Sequence, residues 1–242
     1  MSHIQALPQA LPKALPKVII FVHTCGAYFH SRSELIEQTW ALGKSNVVFI
    51  TDDQQSANND PRYKCIGEYK RRWTYHPENV KKMFQLFLCD YADTYDFFMF
   101  VDDDSYVFVD KLAEYLSFFD KNQSYMIGDY LSWLKYRDYE IDPVMDYSRW
   151  IGGGPGVVFT KSCIETLMSV IEQGVVRDEN HDVWLHDLWN HTDRRTIQRI
   201  HCPGFHQYGH DEAIQRYPKD SRLLISIHFN HDLAGMVNFH NR

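Results

Sequence analysis

Residues 97–108 read FFMFVDDDSYVF, an apolar run that stops at three consecutive aspartates. The five apolar residues from Phe97 to Val101 fit a strand buried on both faces of a sheet, because no polar alternation marks a wet face. Asp102, Asp103 and Asp104 cannot share that dry environment, since isolated buried charge is costly. They are expected at the strand's end, on a solvent-filled edge. In α/β sheets that edge is where ligands bind. Carboxylates two residues apart suit a hard divalent cation, Mg²⁺ or Mn²⁺, shared with phosphate oxygens. The bland alternative is that D-x-D matches arise by chance and that acids also open helices. Asp110 is expected to cap the next helix in that way.

The rest of the first half alternates in period. Lys17 to Thr24 (KVIIFVHT) and Asn46 to Thr51 (NVVFIT) are strands, and Ser33 through Gly43 is a helix with Leu35, Ile36, Thr39 and Trp40 on one face. Residues 52–61 are polar and turn-rich. Pro77 to Tyr91 keeps Val80, Met83, Phe84, Phe87, Leu88 and Tyr91 at helical spacing, with Pro77 suited to the first turn. A further helix follows Asp110. Strand–helix alternation implies an α/β fold around a largely parallel sheet. Tyr125 to Tyr130 is another strand, and residues 131–150 form a hairpin or long loop. Residues 152–156 (GGGPG) make a backbone-dominated loop, followed by a short strand Val157–Thr160 and a helix Lys161–Gln173. A second helix covers His181 to His191, and Arg222 to Phe229 is a late strand. No linker divides the chain. A single domain is expected over residues 17–242, after a flexible leader, residues 1–16, in which Ala-Leu-Pro recurs.

Composition narrows the function classes. The net charge of -7 argues against general nucleic-acid binding. No apolar stretch reaches membrane-spanning length, and the N-terminus lacks a signal peptide's basic start and apolar core. The chain as it stands therefore reads as soluble and cytoplasmic. A Golgi or secretory lumen is expected instead if it is a shortened form of a larger secretory protein, and sequons at Asn122 and Asn190 are weak support for that. The five cysteines include no C-x-x-C pair, so reduced thiols are the simplest reading and structural zinc is disfavoured. Neither G-x-x-x-x-G-K-[ST] nor G-x-G-x-x-G is present where a phosphate loop would need it, which weakens kinase, ATPase and dehydrogenase readings.

Two further residues stand out. Asp182 opens the helix at His181. An acid there is favoured by the helix dipole, but a carboxylate beside an apolar wall also suits a general base. Among the late histidines, His228 is singled out because it ends the strand LLISIHF, and a rigid element suits a metal ligand. A carboxylate plus an imidazole favours Mn²⁺ over Mg²⁺.

Taken in order, these motifs resemble the fringe-like β1,3-glycosyltransferases of glycosyltransferase family 31, which include the fringe N-acetylglucosaminyltransferases and core 1 β1,3-galactosyltransferase. His23-Thr24, Tyr28 to Arg32 and Gln38 to Trp40 are similar to that family's first strand, loop and helix. VVFITDD is similar to its second strand, FMFVDDDSYVF to its metal-binding strand, WIGGGPGVVFTKSC to its glycine loop, His181-Asp182-Val183 to its acidic pair, and SIHF to the strand carrying its metal-binding histidine. Pro155 replaces the usual alanine, and His181 stands where an acid is usual. The resemblance implies a single GT-A type nucleotide-sugar-binding domain. It implies an inverting, Mn²⁺-dependent enzyme (Mg²⁺ being the alternative ion) that moves a hexose or N-acetylhexosamine from a UDP-sugar to a hydroxyl of a glycan, glycoprotein or other acceptor, forming a β1,3 linkage. Asp102, Asp104 and His228 would hold the metal. Asp182 would be the catalytic base. Thr24 and Asp52 would meet the uracil and ribose, Arg32 the diphosphate, and Asp102, Asp103, Gly153 and Gly154 the donor. Trp133, Tyr136 or Trp150 would wall the acceptor cleft. The alternatives are a catalytically silent nucleotide- or glycan-binding relative, and a retaining transferase with the same D-x-D site.

Overall fold

A computed structural model of the chain describes residues 14–67, 76–132, 149–174, 181–193, 196–207 and 223–241. Its centre is a seven-stranded sheet. In chain order the strands of this sheet are β1 (Val18–His23), β2 (Val47–Thr51), β3 (Tyr63–Cys65), β4 (Phe97–Asp102), β6 (Tyr125–Gly128), β9 (Val157–Thr160) and β10 (Gln198–His201). The spatial order is β10-β6-β9-β4-β1-β2-β3. β9 alone among them runs antiparallel, pairing with β4 and β6. The sheet is therefore mostly parallel, as the alternating pattern implies.

β1 and β4 are buried along their apolar lengths, and their successive side chains enter opposite layers. Val18, Ile20, Val22, Phe97, Met99 and Val101 face one cluster with Ile36, Trp40, Leu112, Leu116, Met236 and Phe239. Ile19, Phe21, Phe98 and Phe100 face the other, with Val80, Met83, Phe84, Phe87, Leu167, Trp184 and Leu188. Helices thus cover both faces, which is the condition under which parallel strands read as continuous apolar runs. One layer holds α1 (Glu34–Gln38), α4 (Val109–Leu116) and α7 (Leu233–His240). The other holds α3 (His76–Leu86), α5 (Lys161–Glu172) and α6 (His181–His191).

Several local expectations change. The first helix is short: a π-helical turn, Phe29–Ser33, leads into α1, which stops at Gln38. Thr39 breaks it, because its hydroxyl donates to the Leu35 carbonyl 2.7 Å away, and its backbone leaves the helical region. Trp40 then swings under the acid turn and donates its indole N–H to the Ser105 carbonyl at 2.9 Å. The polar stretch after β2 contains a short helix, α2 (Gln54–Asn59), capped by the Asp53 carboxylate. Asp110 is not a cap. Phe108 takes that position, and Asp110 lies in the first turn, paired with Lys44 at 2.8 Å.

Among the described residues two small sheets adjoin the central one. β5 (Ser105–Val107) follows the acids directly and joins β11 (Phe205–His206) and β12 (Ser226–His228) in the order β11-β12-β5. The late strand is thus shorter than the apolar run suggests. β7 (Tyr130–Ser132) and β8 (Arg149–Ile151) form an antiparallel hairpin base, and residues 133–148, with Trp133 and Tyr136, lie outside the described residues. The five cysteines form no disulfide. Among the described residues no helix is long and apolar enough to cross a membrane.

Candidate active site

The acids sit where the sheet stops. β4 ends at Asp102, level with His23 at the end of β1. Asp103 and Asp104 form the turn that reverses the chain into β5. β5 pairs antiparallel with β12 so that Ser105 lies opposite His228. This register delivers the imidazole to the acids. His228 Nε2 is 3.1 Å from Asp104 Oδ1. Donor atoms of Asp102, Asp104 and His228 all lie within 4.8 Å of one another. The sequence separates His228 from the two aspartates by more than a hundred positions, and only strand pairing brings it to them.

Each acid has a different environment. Asp104 is buried and held by three basic partners: His228, His231 Nδ1 at 2.9 Å from Oδ2, and Arg32 at 3.5 Å. Burial alone would raise its pKa, but the hydrogen bond and charge of His228, then Arg32 and His231, bring it below the usual carboxylate range. The same contact raises His228 although burial opposes it. Asp103 is turned inward. It accepts from the Thr24 hydroxyl at 2.7 Å and from Arg32 at 2.5 Å, yet burial outweighs both and its pKa rises. Asp102 keeps partial exposure. Desolvation, then repulsion from Asp104, pushes it up to about 8, with smaller contributions from Asp103 and Asp182.

The glycine loop has a specific task. Gly153 and Gly154 are buried. A Cβ on Gly153 would lie 1.8 Å from His181 Nε2, and one on Gly154 would lie 2.7 Å from His228 Nδ1. The loop therefore seats two imidazoles of the chain itself, where sequence reasoning expects it to approach a donor. The Gly154 carbonyl ties the loop to the acid strand by accepting from the Ser105 hydroxyl at 2.7 Å and from the Asp102 N–H at 3.3 Å. Gly156 has φ +105°, a conformation glycine takes readily, and its Cβ position is filled by Met99 Cε.

Asp182 lies at the start of α6, half-buried. Its Oδ2 accepts from Trp150 Nε1 at 3.1 Å and its Oδ1 from the Val183 N–H at 2.8 Å. Trp150, expected in the acceptor wall, is buried and orients the candidate base. His181, in place of the resembled family's acid, is buried edge-on against Phe100, with ring centroids 5.4 Å apart.

The remaining sequence candidates are less simply placed. Asp52, at the end of β2, is half-buried and accepts the Gly26 N–H at 2.7 Å. Thr24 is buried and bonded to Asp103 and Ser33. The Arg32 guanidinium is turned onto Asp103 and Asp104. The structure thus gathers Thr24, Arg32 and the acids into one network, with the Thr24 hydroxyl and the Asp103 carboxylate facing each other inside it. Two contributors escaped sequence reasoning. His231 and Gln207, whose amide Nδ1 of His228 meets at 2.9 Å, lie outside any strand or helix, and no periodicity singles them out.

The Fringe-like family model matches residues 13–240. The chain belongs to the fringe-like family. That family is one of glycosyltransferases of the family 31 type. No curated protein matches this fringe-like chain in sequence. Among solved structures it is similar to a glycosyltransferase involved in the glycosylation of the major capsid of PBCV-1. Identity is 14%, the TM-score is 0.51, and the match covers 93% of this chain and 100% of that one. It is also similar to the glycosyltransferase GlyE of Streptococcus pneumoniae TIGR4, with 13% identity and a TM-score of 0.45, over 90% of this chain and 55% of that one. At such low identity the first likeness bears on the fold. The fold is that of GT-A type glycosyltransferases, and membership of the fringe-like family carries the general activity.

Proposed function

We propose that this fringe-like protein is a metal-dependent, inverting hexosyltransferase. Its donor is a UDP-sugar carrying a hexose or N-acetylhexosamine, its acceptor a hydroxyl of a glycan or glycoprotein, and its product a β1,3 linkage. The observation that carries this reading is the convergence of Asp102, Asp104 and His228 at one sheet edge, with Asp182 near enough for its charge to act on Asp102.

Two carboxylates and an imidazole form a mixed oxygen and nitrogen donor set that suits Mn²⁺, with Mg²⁺ as the alternative. An ion held there would offset the negative charge on a departing diphosphate. Asp182 takes the proton from the acceptor hydroxyl. Trp150 and the Val183 N–H fix its orientation, so both oxygens are placed before the acceptor arrives. Asp52 borders the uridine from the end of β2, and Thr24 holds the adjoining turn by its bond to Asp103. Arg32 lends its charge to the diphosphate from beside the acid turn. The test is UDP release from a panel of UDP-sugars with Mn²⁺ and with EDTA. Release that needs Mn²⁺ and gives an inverted product is expected. Release indifferent to EDTA would overturn the metal role, and a retained anomer the inversion.

The raised pKa of Asp102 gives a pH signature. In the folded, metal-free protein this group holds its proton up to about 8, whereas an unfolded aspartate loses it near 3.9. The folded state binds the extra proton between those values, so this group's contribution to stability falls as pH rises through that window. Metal must displace the same proton. Mn²⁺ affinity measured calorimetrically should therefore rise by up to about tenfold per pH unit below that value and level off above it. A flat profile would remove Asp102 from the ligand set.

A further inference from the structure

We infer that His231 is a positioning residue for the metal-binding carboxylate of Asp104, an inference that rests on the function proposed above. Asp104 uses its two oxygens differently. Oδ1 faces His228 Nε2. Oδ2 accepts the backbone N–H of His231 at 3.0 Å and lies 2.9 Å from the Nδ1 of the same residue. The backbone carbonyl of Asp104 accepts from the Phe229 N–H at 2.9 Å. The segment 229–231 thus wraps the acid from both its main chain and its side chain.

The backbone of this segment is bent to do so. Asn230 and His231 have φ of 49° and 73°, and they are the only described non-glycine residues with positive φ. Asparagine tolerates that region better than most residues. Histidine too enters that region more often than most residues, and here polar contacts rather than packing hold its side chain, which is 66% exposed. Its polar contacts are Asp104 and the Arg32 guanidinium, 2.8 Å from Nδ1. Nδ1 serves one of these at a time. In the tautomer that carries its hydrogen on Nδ1 it donates to Oδ2; in the other it accepts from Arg32. In both cases Oδ2 keeps the backbone N–H and a basic neighbour. The consequence is that Asp104 offers a metal one oxygen, Oδ1, on the side of His228. Partners that orient a ligand in this way are worth about 10–100-fold in metal affinity.

The test is Mn²⁺ binding by electron paramagnetic resonance in the presence of UDP, on the full chain. His231→Gly removes the imidazole, keeps the backbone N–H and takes positive φ without strain, so it should fold at least as well as the parent. Its Mn²⁺ affinity is expected to fall about 10-fold or more. His231→Asn, which tolerates the same backbone and restores a side-chain donor, is expected to recover most of that loss. Unchanged affinity in His231→Gly, with Asp104→Ala deficient, would overturn the role of His231 and leave the metal site standing. Unchanged affinity in both variants, or no Mn²⁺ binding by the parent, would overturn the metal reading and this inference together.

Discussion

Asp182→Asn is expected to lose transfer by about 10²–10⁴-fold, the usual worth of a general base, while still binding UDP in the presence of Mn²⁺. Asparagine keeps the shape of the side chain, and its amide oxygen can still accept from Trp150 Nε1 or the Val183 N–H. It has no basic site for the acceptor's proton. Asp182 also lies outside the ligand group of Asp102, Asp104 and His228, so donor binding and proton abstraction separate in this variant. A fall in turnover with little change in donor affinity marks an interaction made only in the transition state. Transfer within about threefold of the parent would discard Asp182 as the base, since that lies far below the span above. Removing Trp150 tests orientation by another route, but it also empties a buried position, so Asp182→Asn is the cleaner probe.

The second large effect is expected at Asp104. Asp104→Ala removes the oxygen that faces His228 and the partner of His231 and Arg32 in one step. Metal-dependent UDP binding should fall by more than the ~10–100-fold typical of partners that merely orient a ligand. Thermal denaturation reads it directly, because a ligand bound to the folded state raises the melting temperature by mass action. Mn²⁺ with UDP should raise the melting temperature of the parent and leave the variant unmoved. The variant also takes from His228 its paired buried carboxylate and leaves Arg32 with Asp103 alone, so its own melting temperature should be lower. Asp104→Asn controls for that loss, since the amide keeps some of the hydrogen bonds without the charge. An undiminished rise with Mn²⁺ and UDP in both variants would place the metal elsewhere.

The parts legible in the sequence are those governed by local periodicity and by the cost of burying charge. FFMFV has no polar face, so it reads as a central strand, and it is one, buried between two helical layers. The helix expected over His181 to His191 is present over that span. The first helix misled because Thr39 and Trp40 keep helical spacing, but the Thr39 hydroxyl turns back onto the Leu35 carbonyl of the helix itself and the Trp40 indole finds its partner outside the helix, at Ser105. The short strands β3, β5, β10 and β11 carry too few residues for a period to show. β5 also follows directly on the acid turn, where composition suggests a loop.

The candidate site divides along the same line. Asp102, Asp104, Asp182 and His228 could each be picked out by type and by position at the end of an element. The glycines could be picked out as well, but not the fact that they make room for His181 and His228. By itself the sequence determined an α/β sheet with acids at one edge, because apolar runs must be buried and unpaired carboxylates must not; Asp103 and Asp104 are nevertheless buried rather than solvated, which their basic partners make possible. Only the tertiary structure decided which groups meet those acids. The β5–β12 pairing sets His228 against Asp104, the bent backbone at residues 230 and 231 adds His231, and Arg32 folds back onto Asp103. Those contacts join residues far apart in the chain, and their geometry follows from strand register and close packing, which no local pattern encodes.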